Sequence, residues 1–199
     1  MRKAIVLFSL IAGLCLNSVA QKSELSFVAG GKITPDGTSP TGKTTFNKSF
    51  AFEVGYATQL ISAKAAALEL EIPLTASPNT DVNTSNVFTA KSYSSIYVTP
   101  GFRVRLAPDA PFSPWIAGGV GFVHFSPSST NLAGGPSGAN SSTKAAYSVG
   151  GGLDLRPGKS PIAFRFEARE LYTGVPNLAI PRLNVHNNVL LAGGIVVRF

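Results

Sequence analysis

The sequence predicts an all-β fold, a closed antiparallel eight-stranded up-and-down barrel that crosses a membrane. Three observations carry that prediction. Hydrophobicity alternates with period two along eight runs and keeps no helical period over three turns. One face of those runs is almost wholly apolar, while the other holds full charges in mid-strand. The connections between them alternate between short and long.

The first run is Leu25–Ala29, with Leu25, Phe27 and Ala29 on one face. In 49–56, Phe50, Phe52, Val54 and Tyr56 alternate with Ala51, Glu53 and Gly55. In 67–74, Leu68, Leu70, Ile72 and Leu74 alternate with Ala67, Glu69, Glu71 and Pro73. The fourth run, 96–106, sets Ile96, Val98, Phe102, Val104 and Leu106 against Tyr97, Thr99, Gly101, Arg103 and Arg105. Pro100 offers no ladder donor there, so a bulge or break is expected. The fifth, "WIAGGVGFVHF" over 115–125, hides its facing behind glycines. The sixth places Tyr147, Val149, Leu153 and Leu155 opposite Ser148, Gly150, Gly152 and Asp154. The seventh places Ile162, Phe164, Phe166 and Ala168 opposite Ala163, Arg165, Glu167 and Arg169. The eighth, "VLLAGGIVVRF", ends the chain on Arg198 and Phe199.

Long connections rich in Ser, Thr, Asn, Gly and Pro are expected near 33–45, 75–91, 126–144 and 173–187. Short ones are expected near 59–63, 107–113 and 157–161. A soluble sandwich or a lipocalin-like carrier would also alternate. Strands of about ten residues with short turns at one end and long loops at the other favour the transmembrane barrel. In lipid every backbone group must be paired, which a closed barrel achieves.

Residues 1–20 read as a secretory signal, followed by one domain over 21–199. Arg2 and Lys3 form the charged start, an apolar run follows to Leu16, and Ser18 and Ala20 are the small residues of a cleavage site. Cys15 invites a lipoprotein reading, but Leu14 before it is bulky for that motif. Cleavage after Ala20 leaves no cysteine, hence no disulfide and no thiol chemistry. It also removes two of the seven surplus positive charges. No cluster of Lys and Arg interleaved with aromatics appears, so nucleic acid is not an expected partner.

The sequence resembles the small eight-stranded outer-membrane barrels, the OmpA/OmpX-like family, over all of 21–199. The closing "VLLAGGIVVRF" carries the likeness most sharply. The resemblance implies an outer-membrane location in a Gram-negative bacterium, both termini facing the periplasm and four long loops outside. It implies contact with outer-membrane lipid and lipopolysaccharide, and that Phe199 acts as the signal read by the barrel-insertion machinery. Nothing resembles the peptidoglycan-binding domain that some relatives append.

The charged face is the main constellation. Glu53, Glu69, Glu71, Asp154 and Glu167, with Arg103, Arg105, Arg156, Arg165, Arg169 and Arg198, would line a lumen just wide enough for side chains. Buried charges must pair, so an ionic plug is expected, with a narrow gated pore as the alternative.

Three other motifs suggest chemistry. "GTSPTGKT" over 37–44 matches a phosphate loop, but a strand-like segment follows it where a helix would be required. His124 and Ser126 share a strand face, a geometry suited to base and nucleophile. They resemble the pair used by outer-membrane lipid A deacylases, but Pro127 follows where those enzymes have Asn, and no acid partner is fixed. His186 in "NVHNN" has no second ligand beside it, so no metal site is expected there. The expectation is a monomer without catalysis, cofactor or metal, acting structurally or through its outer loops.

Overall fold

The computed structural model describes residues 22–40, 42–158, 160–180, 183 and 187–199. The secretory signal, Cys15 and His186 lie outside the described residues. Eleven strands form in chain order. They are β1 (Ser23–Ile33), β2 (Gly37–Ser39), β3 (Gly42–Phe46), β4 (Ser49–Ser62), β5 (Ala66–Thr84), β6 (Ser92–Val98), β7 (Gly101–Leu106), β8 (Phe112–Pro127), β9 (Ser142–Leu155), β10 (Ile162–Thr173) and β11 (Asn187–Arg198).

Eight barrel staves emerge, because β6 and β7 are two halves of one. The antiparallel ladder runs β1–β4–β5–β6/β7–β8–β9–β10–β11 and returns from β11 to β1. The ring therefore leaves no unpaired edge among the eight staves, the condition for a sheet in hydrocarbon. At the seam, Ser23 N and Phe199 N each donate to the other residue's carbonyl at 2.9 Å.

The break between β6 and β7 falls at Thr99 and Pro100, as the missing proline donor requires. Pro73 of β5 stands opposite, between the paired residues Leu74↔Val98 and Glu71↔Gly101. The two prolines thus concentrate their missing donors at one irregular point. The ladder is carried across it by Thr99 N donating to Pro73 O at 3.4 Å.

Face assignment follows the period. Phe50, Phe52, Phe102, Ile116, Phe164 and Phe166 point outward and are 38–68% exposed. Their inward neighbours Ala51, Glu53, Arg103, Arg105, Arg165 and Glu167 are all buried. Trp115 resolves the ambiguity of β8: it points inward and is buried. Gly30 and Gly194 mark the tightest approach along β1 and β11. An added Cβ there would drive into the backbone carbonyls of Leu191 and Phe27.

The two ends differ. The short connections after β4, β7 and β9 lie at one end, where both described termini also lie. Longer connections close the other. Two of these depart from the sequence expectation. The segment expected as loop from Thr75 continues as strand to Thr84, because its Ser and Thr residues pair with β4, β6 and β3. The connection over 34–48 contains the β2–β3 hairpin, and β3 pairs with the top of β5.

Candidate functional site

The interior is filled in two storeys. The storey at the turn end is ionic. Glu24 on β1 accepts from Arg103, from Arg105 Nη2 at 2.5 Å and from Arg165 Nη2 at 2.7 Å. Asp154 on β9 accepts from Arg105 Nη1 at 2.5 Å, Arg165 Nε at 2.8 Å and Arg198 Nη2 at 2.8 Å. Glu69 holds Arg105 Nε at 2.8 Å, and Glu71 holds Arg103 Nε at 2.8 Å. The pairs on β5 and β7 are diagonal: Glu69 lies across from Arg103 in register but bonds most closely to Arg105.

Trp115 forms the floor for these cations. The guanidinium carbons of Arg103, Arg165 and Arg169 lie 4.6, 5.0 and 5.7 Å from its ring. Its Nε1 donates to Asp154 at 3.3 Å. An indole face attracts cations, and desolvation strengthens the effect. Glycines at 150 and 152 on β9 leave room inside: a Cβ at Gly152 would collide with the Trp115 ring, and one at Gly150 would crowd Arg169 Cγ at 3.1 Å.

One layer further in, the pairing loosens. Arg169 Nη1 donates to Glu71 at 2.8 Å, while its Nη2 stands 3.6 Å from Glu53 and its Nε 4.0 Å from Glu167. Glu53 accepts from Thr75 Oγ1 at 2.6 Å. Both oxygens of the buried Glu167 carboxylate lack a hydrogen bond. The side chains of Arg103, Arg105, Arg165 and Arg169 are at most 3% exposed, so these four guanidinium groups are shielded from solvent, while Arg198 at the turn end keeps 17% of its surface.

All ten residues singled out for the lumen therefore occupy it: Glu53, Glu69, Glu71, Arg103, Arg105, Asp154, Arg165, Glu167, Arg169 and Arg198. Arg156, counted with them, does not join the network. It sits past the end of β9, and its Nη2 donates to the backbone oxygen of Asp109 at 2.6 Å. Glu24 and Trp115 were missed. Glu24 lies one residue before the run read from Leu25, yet it follows the same alternation.

Toward the loop end, Lys32 is fully buried. Its Nζ donates to Ser95 Oγ at 3.1 Å and lies 5.1 Å from the Tyr93 ring centroid. Above it the lumen turns apolar. Tyr93, Tyr97, Val123, Phe125, Ala146 and Leu171 point inward from the strands. Phe46, Ala90, Leu178 and Leu183 close over them from the loop-end connections, with Ala139 packed against the cluster. Edge-to-face contacts join Tyr93 to Phe46 at 6.2 Å and to Phe125 at 5.8 Å. Backbone bonds knit the cap together, among them Ala90 N to Leu178 O at 3.4 Å and Leu132 N to Thr89 O at 3.1 Å. A lumen plugged by charged side chains was the expectation; toward the loop end the filling is instead an apolar cluster.

The remaining candidates stay apart from this interior. His124 is outward and exposed, with Nδ1 2.9 Å from Thr143 Oγ1. Ser126 follows on the same strand, and its backbone oxygen accepts from Ser94 Oγ at 3.4 Å. Neither bonds a carboxylate among the described residues. The "GTSPTGKT" segment forms the β2–β3 hairpin, and Lys43 pairs with Asp36 at 2.7 Å on the surface. No helix follows it to point an N-terminus at phosphates. No group of three or more metal-ligating side chains exists among the described residues.

No protein-family model matches the sequence, and no curated protein matches it. Solved structures do resemble the fold. Neisserial surface protein A superimposes with a TM-score of 0.56 at 13% identity, covering 89% of this chain and 97% of that one. The attachment invasion locus protein Ail of Yersinia pestis, solved with the heparin analogue sucrose octasulfate, gives a TM-score of 0.51 at 13% identity over 90% of this chain and 99% of that one. With the sealed ring of eight staves, these likenesses show that the chain has the fold of the small eight-stranded outer-membrane β-barrels.

Proposed function

We propose that the chain is an integral protein of the outer membrane of a Gram-negative bacterium, without catalysis, that presents its long connections at the cell surface. The single observation that carries this reading is the inverted arrangement of the faces. Aromatic and aliphatic side chains cover the outside, and arginines and carboxylates are sealed within. Such an exterior is stable in hydrocarbon and costly in water.

In this reading the lumen is a structural plug and no pore. Ion pairs block the turn end, and the apolar cluster blocks the loop end. The role then belongs to what the barrel displays. Lys48, Lys91 and Lys144 stand at the loop end, suited to the phosphates of lipopolysaccharide. Phe199, exposed at the end of the closing strand, serves as the insertion signal. The protein acts as a monomer, since its staves leave no free edge to pair with a second copy.

Fractionation of cells expressing the chain tests the reading. The protein is expected in the outer-membrane fraction, migrating differently on gels before and after boiling. Recovery as a soluble periplasmic or secreted protein with unchanged mobility would overturn it.

A further inference from the structure

The turn end contains a cavity of about 310 Å³ whose donors are not used up by the protein itself. Arg156 and Arg198 both line it. Each is held by one guanidinium nitrogen. Arg156 Nη2 donates to Asp109 O at 2.6 Å, and Arg198 Nη2 donates to Asp154 Oδ2 at 2.8 Å. The Nε of each is fully buried, that of Arg198 3.4 Å from Glu24 Oε2, whereas the Nη1 of each is not buried and makes no hydrogen bond among the described residues. The planar fork of arginine matches an oxyanion, and the Nη1 edge of each guanidinium is left to donate to one.

Three carboxylates, Glu24, Glu69 and Asp109, also line the cavity and are already engaged. Glu24 takes Arg103, Arg105 and Arg165; Glu69 takes Arg105; Asp109 takes Lys22 at 3.0 Å. Ser160, also in the lining, accepts from Ile162 N at 3.0 Å through Oγ and keeps its own proton free to donate. The vestibule thus offers two anchored guanidinium groups and a hydroxyl around a space large enough for several heavy atoms.

We infer that this vestibule is a binding site for a small oxyanion, a phosphate or a carboxylate, held between Arg156 and Arg198. The site adjoins the ionic plug through Arg198, which belongs to that network, whereas Arg156 does not. It is also reached from the turn end, opposite the loops to which the proposed surface role belongs. It stands or falls independently of that role.

The test uses the full-length barrel refolded in detergent micelles. Equilibrium dialysis measures binding of inorganic phosphate, and then of acetate, at ionic strength fixed with chloride. The expected result is saturable binding of one anion per chain, weakened at least tenfold in Arg156→Gln. Binding that does not saturate, or is equal in wild type and Arg156→Gln, overturns the inference. Should that variant fail to refold, crystals of the wild-type protein soaked in tungstate decide the matter. An anomalous peak between Arg156 and Arg198 supports the site. An empty vestibule, or one filled by the terminal carboxylate of Phe199, overturns it.

Discussion

Replacement of Glu24 by Gln is the sharpest perturbation of the lumen. Glu24 accepts hydrogen bonds from Arg103, Arg105 and Arg165 and lies 3.4 Å from Arg198 Nε. The substitution keeps shape and volume, so it leaves no cavity. It removes one negative charge from a largely buried cluster, in which Glu24 is 7% exposed, and leaves guanidinium groups competing for Asp154, Glu69 and Glu71. Removing one partner of a buried ion pair costs about 3–5 kcal/mol, chiefly because the other charge stays buried and uncompensated. At a urea m value of about 2 kcal/mol per M, the unfolding midpoint falls by about 1.5–2.5 M. Trp115, the single tryptophan, supplies the readout, since its ring packs against three of the arginines. Equilibrium unfolding from lipid vesicles, followed by its fluorescence, measures the midpoint. A loss of under about 1 kcal/mol would refute the reasoning, because it would mean that water reaches Glu24 and screens its partners.

Glu167→Gln should behave differently: its carboxylate has no hydrogen bond to lose, so the same assay is expected to show a change under about 1 kcal/mol in either direction. Glu69→Gln combined with Glu71→Gln removes the partners of Arg103, Arg105 and Arg169 together. It should lower the midpoint at least as far as Glu24→Gln does. Leu178→Asp places a charge inside the apolar cap. Limited proteolysis of vesicle-bound protein should then cut the 174–180 connection several-fold faster, with the Trp115 unfolding midpoint little changed. His124→Ala should leave the mass spectrum of lipid A from expressing cells identical to that from wild-type cells. A shift in acyl-chain mass that depends on His124 would establish catalysis instead.

Much of the barrel was legible because burial on one face and lipid on the other force strict alternation. Phe50, Phe52, Phe102, Ile116, Phe164, Phe166 and Ile195 all lie on the exposed side, although Tyr97, Val123, Phe125 and Leu171 turn inward toward the loop end. The Pro100 break was legible for the same reason, since a missing donor has a definite consequence. Less legible were features that depend on neighbours in space. The facing of β8 was hidden because glycines at 118, 119 and 121 carry no side chain to vote. The upper part of β5, with its Ser, Thr and Asn residues, has the composition of a loop. It becomes strand because β3, β4 and β6 offer it partners. The apolar cap was invisible for a similar reason. Leu178 and Leu183 are isolated in a Pro- and Asn-rich connection, and only the folded chain brings them onto Tyr97 and Phe125. Arg156 shows the converse error. It alternates with Asp154, but the strand ends at Leu155, so the period no longer dictates where it points.

The central claim is that the greasy face meets hydrocarbon while the charged face is enclosed. Spin labels placed one at a time on β10, at 162 through 168 in lipid vesicles, test it directly. Labels replacing Ile162, Phe164, Phe166 and Ala168 should collide freely with oxygen dissolved in the bilayer. Those replacing Ala163, Arg165 and Glu167 should be shielded or should prevent folding. Shielding at Phe164 and Phe166, with water-soluble relaxants reaching Arg165 and Glu167, would contradict the account.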